Sequence, residues 1–432
     1  MYRVWNFITN YSLLLIAGAL IALVWANIDP KGYHHVVEWP LWFNDYIGLT
    51  TDDWIKKYGK GYDAFAYSET TRVLSLHYLI NDMLMAFFFA IAAKEVWEAV
   101  ILKNGSLRGR KAATPLFATV GGMVGPIAVY LGLAAWLGSD TYNAVANGWA
   151  IPTATDIAFS YLVGRLVFGA GHPAVRFLLL LAIADDAAGL IILAVFYPQG
   201  ELAPIWLLLS VFAAVSVFYI FNWLPRWLDR GKEVRPNSSW VRKYLSYWPY
   251  LIAGCLSWYG FMKAGLHPSL GLLPVVPALP HADRAFGIFS AAEEHLTDLL
   301  NQAEHVLKHP VEIILFFFGL LNAGVEFNSI GAATWLVLAG LIVGKPFGVL
   351  LFGWIGARVL RLGLPEGMRI IDLFVIGCVA AIGFTVSLFI ASVAFENGPV
   401  QDAAKMGALF SFAAAILSFV AGKLTKVEKQ NL

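Results

Sequence analysis

The chain has 432 residues, 59% hydrophobic and 14% charged, with a formal net charge of +1. Soluble domains carry about 25% charged residues, so the composition excludes an ordinary soluble protein and indicates a polytopic membrane protein. The near-zero charge argues against nucleic acid as a partner, and two cysteines inside apolar segments, Cys255 and Cys378, argue against a disulfide framework or a cysteine metal site.

Twelve transmembrane helices are expected, at roughly 11–27, 74–102, 112–137, 149–166, 174–197, 204–224, 248–263, 267–279, 310–324, 335–357, 372–395 and 406–422, which makes the fold an all-α polytopic membrane protein. The first segment follows Arg3 and reads as an anchor rather than a cleaved signal, because eleven more apolar segments come after it. Loop 28–73 is the one sizeable polar connection on its side, rich in aromatic residues such as Trp39, Trp42, Phe43 and Tyr46, and is expected to be a solvated linker or a small ordered ribbon.

Segment four is short, with 16 residues from Trp149 to Gly164 before the charge of Arg165. Pro152, Thr153 and Thr155 precede Asp156, so the backbone is expected to open there, freeing carbonyls and hydroxyls to coordinate ions or cap half-helices.

Segment five holds Asp185 and Asp186, ninth and tenth in the 20-residue stretch 177–196, where every other residue is apolar or glycine. At about 1.5 Å per residue this places the pair near the bilayer midplane. Each Asp there costs about 3 kcal/mol on insertion scales, and adjacent carboxylates disfavour each other's ionisation. Packing returns nothing for that cost. The pair therefore reads as a cation or proton site rather than as neutral carboxylates satisfying neighbouring helices.

Segments seven and eight are short and nearly fused around Gly265. Loop 281–309 carries Glu293, Glu294, Asp298 and Glu304 with His281, His295, His305 and His309, and reads as an exposed amphipathic helix or a regulatory surface. In segment ten, Lys345 is eleventh of the 21 residues 335–355 and the single charge among them, followed by Pro346, which is expected to bend the helix. It is too central to snorkel, so it needs a carboxylate partner, for which the Asp pair is the candidate. Segment eleven places Gly383, Thr385 and Ser387 in mid-span.

Segments four and eleven are the middle members of the triplets 3–5 and 10–12, whose opposite topologies suit inverted repeats. An interrupted helix in each half points to the transport site. Basic residues including Arg3, Lys103, Arg108, Arg226, Arg235, Arg284, Arg358 and Lys423 fall on one side, whereas loops 138–148, 198–203 and 325–334 contain none, so both termini are expected in the cytoplasm.

At these residues the chain resembles the NhaA-type Na+/H+ antiporters. The blocks that carry the likeness are Ala150-Ile151-Pro152-Thr153-Ala154-Thr155-Asp156, Ala182-Ile183-Ala184-Asp185-Asp186, Gly344-Lys345-Pro346-Phe347-Gly348 and Gly383-Phe384-Thr385. Gly121-Gly122-Met123, Lys263-Ala264-Gly265-Leu266-His267 and Asn322-Ala323-Gly324-Val325 extend it through nearly the whole chain.

The resemblance implies two crossing broken helices, with Asp185 and Asp186 as the cation site and Thr155 and Asp156 beside them. Asp156 and Lys345 would offset the half-helix dipoles, Lys345 pairing with Asp185 in the proton-loaded phase. Pro152, Gly383 and Thr385 would support the breaks. Glu95, Glu304, His305 and His267 fall at positions of pH regulation, although Lys94 before Glu95 and the extra Lys308 depart from the family pattern. One transporter domain, 1–432, is expected, with a core bundle at about 112–197 and 335–422 and interface helices from 11–102 and 204–324. A homodimer joined through loop 28–73 and a bacterial inner-membrane location are implied too.

With Asp156, Asp185, Asp186 and Lys345 all ionised, the site carries a net −2; one Na+ leaves −1 and two protons leave 0. Exchanging those states moves net charge and responds to membrane potential. Oxygen ligands suit Na+ or Li+, so Asp185 and Asp186 are the expected metal ligands and no resident cofactor is expected. Three rival functions fit the sequence less well. A sodium-coupled solute symporter lacks a second polar cluster to line a solute cavity. An intramembrane aspartyl protease needs its aspartates facing each other from separate helices, and a retinal protein does not have twelve segments.

Overall fold

The computed structural model describes residues 13–51, 54–55, 71–102, 107, 110–231, 236–281 and 299–430. Arg3, Lys103, Arg108, Arg235, Arg284, Glu293, Glu294, His295 and Asp298 lie outside these residues. The principal helices in chain order are α1 (Leu13–Ile28), α2 (Pro30–Val37), α3 (Met85–Ile101), α4 (Arg110–Trp136), α5 (Ile157–Phe168), α6 (Pro173–Phe196) and α7 (Pro204–Leu228). They continue as α8 (Trp248–Ala264), α9 (Leu299–Asn322), α10 (Ala332–Val359), α11 (Ile370–Ala380), α12 (Phe384–Ala394) and α13 (Pro399–Leu424). The fold is mostly helical. Among the described residues, five helices (α4, α6, α7, α10 and α13) are long and apolar enough to cross a membrane, six if α11 and α12, bent by 55° at a short break, form one span.

The expectation of an all-α chain needs one correction. Among the described residues between α2 and α3 lie three short strands, β1 (Pro40–Asn44), β2 (Leu49–Thr50) and β3 (Arg72–Ser75), forming an antiparallel sheet in the order β1-β3-β2. Arg72 ties it together by donating to the Gly48 carbonyl at 2.9 Å.

Two compact units make up the chain. The first comprises Met1–Ile80, Gly109–Gly189 and Leu315–Leu432. Its frame is the close crossing of α4 and α10. A Cβ at Gly348 would lie 2.0 Å from the Gly121 carbonyl oxygen, and one at Gly125 would lie 2.2 Å from that of Gly344. Only glycines permit backbones this near, which is how small residues hold helices together where lipid offers no hydrophobic drive. The bend expected at Pro346 does not occur as a break. The preceding turn, Gly340–Gly344, is π-helical, and this local widening accommodates a residue that lacks an N–H.

The second unit comprises Asn81–Arg108 and Leu190–Ile314. Its core gathers Ala213, Val217, Tyr250, Ala253, Val276 and Leu299 from α7, α8, the turns after α8 and the start of α9. Two expected segments are revised here. Segment eight is no regular helix: Pro268–Leu270 and Leu273–Ala278 form 3-10 turns, because Pro268, Pro274 and Pro277 remove backbone donors. Chain direction changes just before them at Gly265, whose φ of +76° suits glycine as it ends α8. Segment nine reaches further back than expected: the chain is already helical at Leu299, the first described residue there, rather than from 310, and Leu299 and Leu300 are buried in this core.

Candidate functional site

The site lies wholly in the first unit and is built on two interrupted helices. In the first, a 3-10 turn Ala146–Thr153 gives way to extended backbone at Ala154, and α5 begins at Ile157. In the second, α11 ends at Ala380 and α12 starts at Phe384. Each break strands carbonyls on one side and N–H groups on the other, groups that have no water partner in a bilayer. The site's side chains satisfy them.

Asp156 is the N-cap of α5, its Oδ1 accepting from Phe159 N at 3.2 Å. Its Oδ2 accepts from the hydroxyl of Thr385 and from Thr385 N at 3.4 Å, in the first turn of α12. One carboxylate therefore caps two half-helices, where the partial positive charges of both N-termini favour an anion. The two breaks are also joined directly, Asp156 N donating to the Ile382 carbonyl at 2.7 Å.

The carbonyls are met by hydroxyls and one ammonium. Thr155 Oγ1 donates within bonding distance of Asp185 Oδ2 at 2.6 Å and of the Ala380 carbonyl at 3.1 Å, and Ser160 donates to Val379 O at 3.1 Å. Ser387 donates to Ile151 O at 2.8 Å. Lys345 is fully buried and donates to the carbonyls of Thr153 and, at 2.8 Å, Ala154, and to Asp185 Oδ2 at 2.9 Å. Three acceptors match the three hydrogens of an ammonium, which is the form this geometry holds.

Asp185 and Asp186, consecutive on α6, point about 100° apart, as the 3.6-residue turn requires. Asp185 is buried and uses Oδ2 for both Lys345 and Thr155. Asp186 is half-buried and accepts no hydrogen bond among the described residues. An anionic carboxylate without a protein donor among the described residues is chemistry that a hard monovalent cation or a proton can take. Pro152 and Gly383 set the breaks. A Cβ at Gly383 would lie 2.5 Å from Ser387 Oγ and 2.9 Å from the Ala154 carbonyl oxygen, and Pro152 fills the space over Gly340.

The structure thus brings together Thr155, Asp156, Asp185, Lys345 and Thr385, with Asp186 beside them. It does not bring in Glu95, Glu304, His305 and His267, which belong to the second unit. Glu95 and Glu304 share the buried Lys94, at 3.7 and 2.7 Å, and Glu98 joins them at 3.0 Å. His267 has other partners, Asp82 at 3.7 Å and Ser269 at 2.8 Å, and His305 is exposed. Sequence reasoning passed over Ser160 and the bridging role of Lys94. The spacing held both signals: Ser160 is one turn after Asp156, and Lys94 has Glu98 four residues on.

Residues 4–424 match the family model described as Na+/H+ antiporter 1. The chain is 72% identical over 432 residues, all of both chains, to a protein of Jannaschia sp. (strain CCS1) named Na(+)/H(+) antiporter NhaA. It is 44% identical over 428 residues, 98% of each chain, to the protein of the same name from Geobacter sulfurreducens. The solved sodium proton antiporter MjNhaP1 from Methanocaldococcus jannaschii aligns over 98% of each chain at 12% identity and a TM-score of 0.41, too distant to bear on the fold.

Proposed function

The chain belongs to the Na+/H+ antiporter 1 family, and from that premise we propose that Asp185 and Asp186 bind in turn the Na+ and the H+ that it exchanges. It is a membrane transporter, and its cargo is sodium and protons. The observation that carries the site assignment is the asymmetry of the pair: Asp185 is held by Lys345 and Thr155, while Asp186 accepts no hydrogen bond among the described residues.

In the arrangement described, Lys345 neutralises Asp185. Sodium arriving at Asp186 needs further oxygen ligands, and Asp185 is the adjacent anion. Taking it releases the ammonium from Oδ2, while the Thr153 and Ala154 carbonyls continue to hold Lys345. Protons arriving at the same oxygens displace sodium, and the ammonium returns. Antiport then needs only competition for shared oxygens, and the coupled carboxylates titrate as a set. Three carboxylates and one ammonium give −2, so the sodium-loaded and doubly protonated forms differ by one charge. Exchange is electrogenic, worth about 2.3 kcal/mol per charge per 100 mV. Li+ fits the same oxygens. The cell gains control of internal pH and sodium.

We place both interrupted helices within a twelve-helix, inverted-repeat architecture in a single transporter domain. The 55° bend between α11 and α12 and the extended backbone after Thr153 support it. The transporter sits in a bacterial inner membrane with both termini cytoplasmic, and the sheet of loop 28–73 joins two copies. Glu95, Glu304, His267 and His305 tune the pH response.

The test is sodium-driven proton movement in proteoliposomes between pH 6 and 9. The apparent sodium constant should weaken as pH falls, and Asp186→Asn should abolish exchange while melting like the wild type. Exchange at wild-type rate in Asp186→Asn, or a sodium constant flat across that range, overturns the reading.

A further inference from the structure

The second unit holds a cavity of about 300 Å³ that ion exchange does not use. Its wall, including Phe87, Ile91, Leu251 and Leu272, is almost wholly apolar. Two features interrupt it. Glu304 and Lys94, 2.7 Å apart, stand in the wall. So does Tyr250, 4% exposed, whose hydroxyl is buried without a hydrogen-bond partner among the described residues. A buried unpaired hydroxyl is costly to keep, and a ligand group able to bond it removes that cost.

The charge around this cavity has a sign. Among the described residues, Lys94 lies within 4 Å of three carboxylates, those of Glu304, Glu98 and Glu95, so these four groups carry a formal −2. Phe87, Tyr247 and Tyr250 add aromatic faces, which attract cations. Arg226 acts on Tyr250 through its field, but it is exposed and screened by salt, whereas Lys94 and Glu98 are buried. The volume is at the lower end of ligand pockets, which suits one ring system or a medium alkyl chain rather than a two-tailed lipid.

We propose that this cavity binds an amphipathic monocation, its apolar body against Phe87, Leu251 and Leu272, its ammonium or amidinium head on Glu304, and the Tyr250 hydroxyl as a further acceptor. The bound head competes with Lys94 for Glu304 and so loosens the tie between α3 and the start of α9. The proposal is independent of the assignment of Asp185 and Asp186.

The test uses the full chain in nanodiscs of zwitterionic lipid and three photoreactive probes sharing a diazirine-bearing decyl chain: the amine, the alcohol and the carboxylic acid. Cross-links are mapped by peptide mass spectrometry. The amine should label 87–94 and 247–251 roughly tenfold more than the alcohol, the discrimination expected of a charge-assisted hydrogen bond, and the acid least. Glu304→Gln should remove the amine's advantage and leave alcohol labelling unchanged. Ala90→Phe and Ala303→Phe, which fill the cavity, should reduce labelling there to background, with monodisperse gel filtration as the folding control. Equal labelling by all three probes, preference for the acid, or an amine advantage that survives Glu304→Gln overturns the proposal.

Discussion

Replacing Lys345 with alanine tests how the interrupted helices are held. The change removes the donor to three acceptors at once: Asp185 Oδ2, Ala154 O and Thr153 O. Stranding the carboxylate of a buried pair costs about 3–5 kcal/mol, and each carbonyl left without a donor adds about 1 kcal/mol or more. The sum, about 5 kcal/mol or more, is comparable to the whole stability of many domains. At a few degrees per kcal/mol, the melting temperature of Lys345→Ala should drop by roughly 10–20 °C. The double variant Asp185→Asn/Lys345→Ala separates the contributions. It removes the stranded charge and recovers the larger part, but the Thr153 and Ala154 carbonyls stay unpaired, so rescue should be incomplete. The assay is thermal unfolding of purified protein followed by tryptophan fluorescence. A Lys345→Ala melting temperature within about 2 °C of wild type, or strictly additive single variants, would refute the pairing. Complete rescue by Asp185→Asn would refute the carbonyl contribution.

Asp156→Ala should destabilise by about 1–4 kcal/mol, since it removes the cap of two half-helices, whereas Asp156→Asn keeps an acceptor oxygen and should cost less than half as much; equal melting temperatures for the two would count against the double cap. Gly348→Ala pushes a Cβ to within 2.0 Å of the Gly121 carbonyl oxygen and should cost about 1–3 kcal/mol, while Gly132→Ala, with nothing within 4 Å, should be neutral; a neutral Gly348→Ala would contradict the close crossing of α4 and α10. Glu38, just after α2, has its carboxyl pushed up from 4.5 to about 7 by burial. The folded chain then keeps a proton that the unfolded chain releases, so this group's contribution is present below 4.5, falls as pH rises towards about 7 and is flat above it. Subtracting the Glu38→Gln melting profile from the wild-type profile should reveal that slope, and parallel profiles would disprove it.

The charged residues of the site were legible because a bilayer makes position along an apolar stretch equivalent to depth. Asp185, Asp186 and Lys345 could be placed near the midplane by counting, and the cost of each there demanded a role. The partners were not legible in the same way. Charge required a carboxylate for Lys345, but nothing local distinguished Asp185 from Asp186, 160 and 159 positions away. The two carbonyls that share the ammonium belong to a backbone break whose geometry is not encoded in any side chain. Asp156 shows the same division. The resemblance assigns it to a half-helix dipole, yet its second oxygen serves Thr385, 229 residues later, a contact only the fold creates.

Element boundaries failed for a related reason. Residues 299–309 alternate apolar and polar groups, so their mean hydropathy falls below that of a span. Leu299 and Leu300 are nonetheless buried, and one face is enough to extend α9. The strands of loop 28–73 have two to five residues, too few for a period to emerge. Glycine spacing lies between these cases. Gly121 and Gly125 on α4, and Gly340, Gly344 and Gly348 on α10, recur every four residues and mark a face on each helix for close approach. A backbone contact of that kind fixes the crossing without needing directional side chains. It sets Lys345, one residue after Gly344, at the depth where the carbonyls of the first break and Oδ2 of Asp185 can each take one hydrogen of its ammonium.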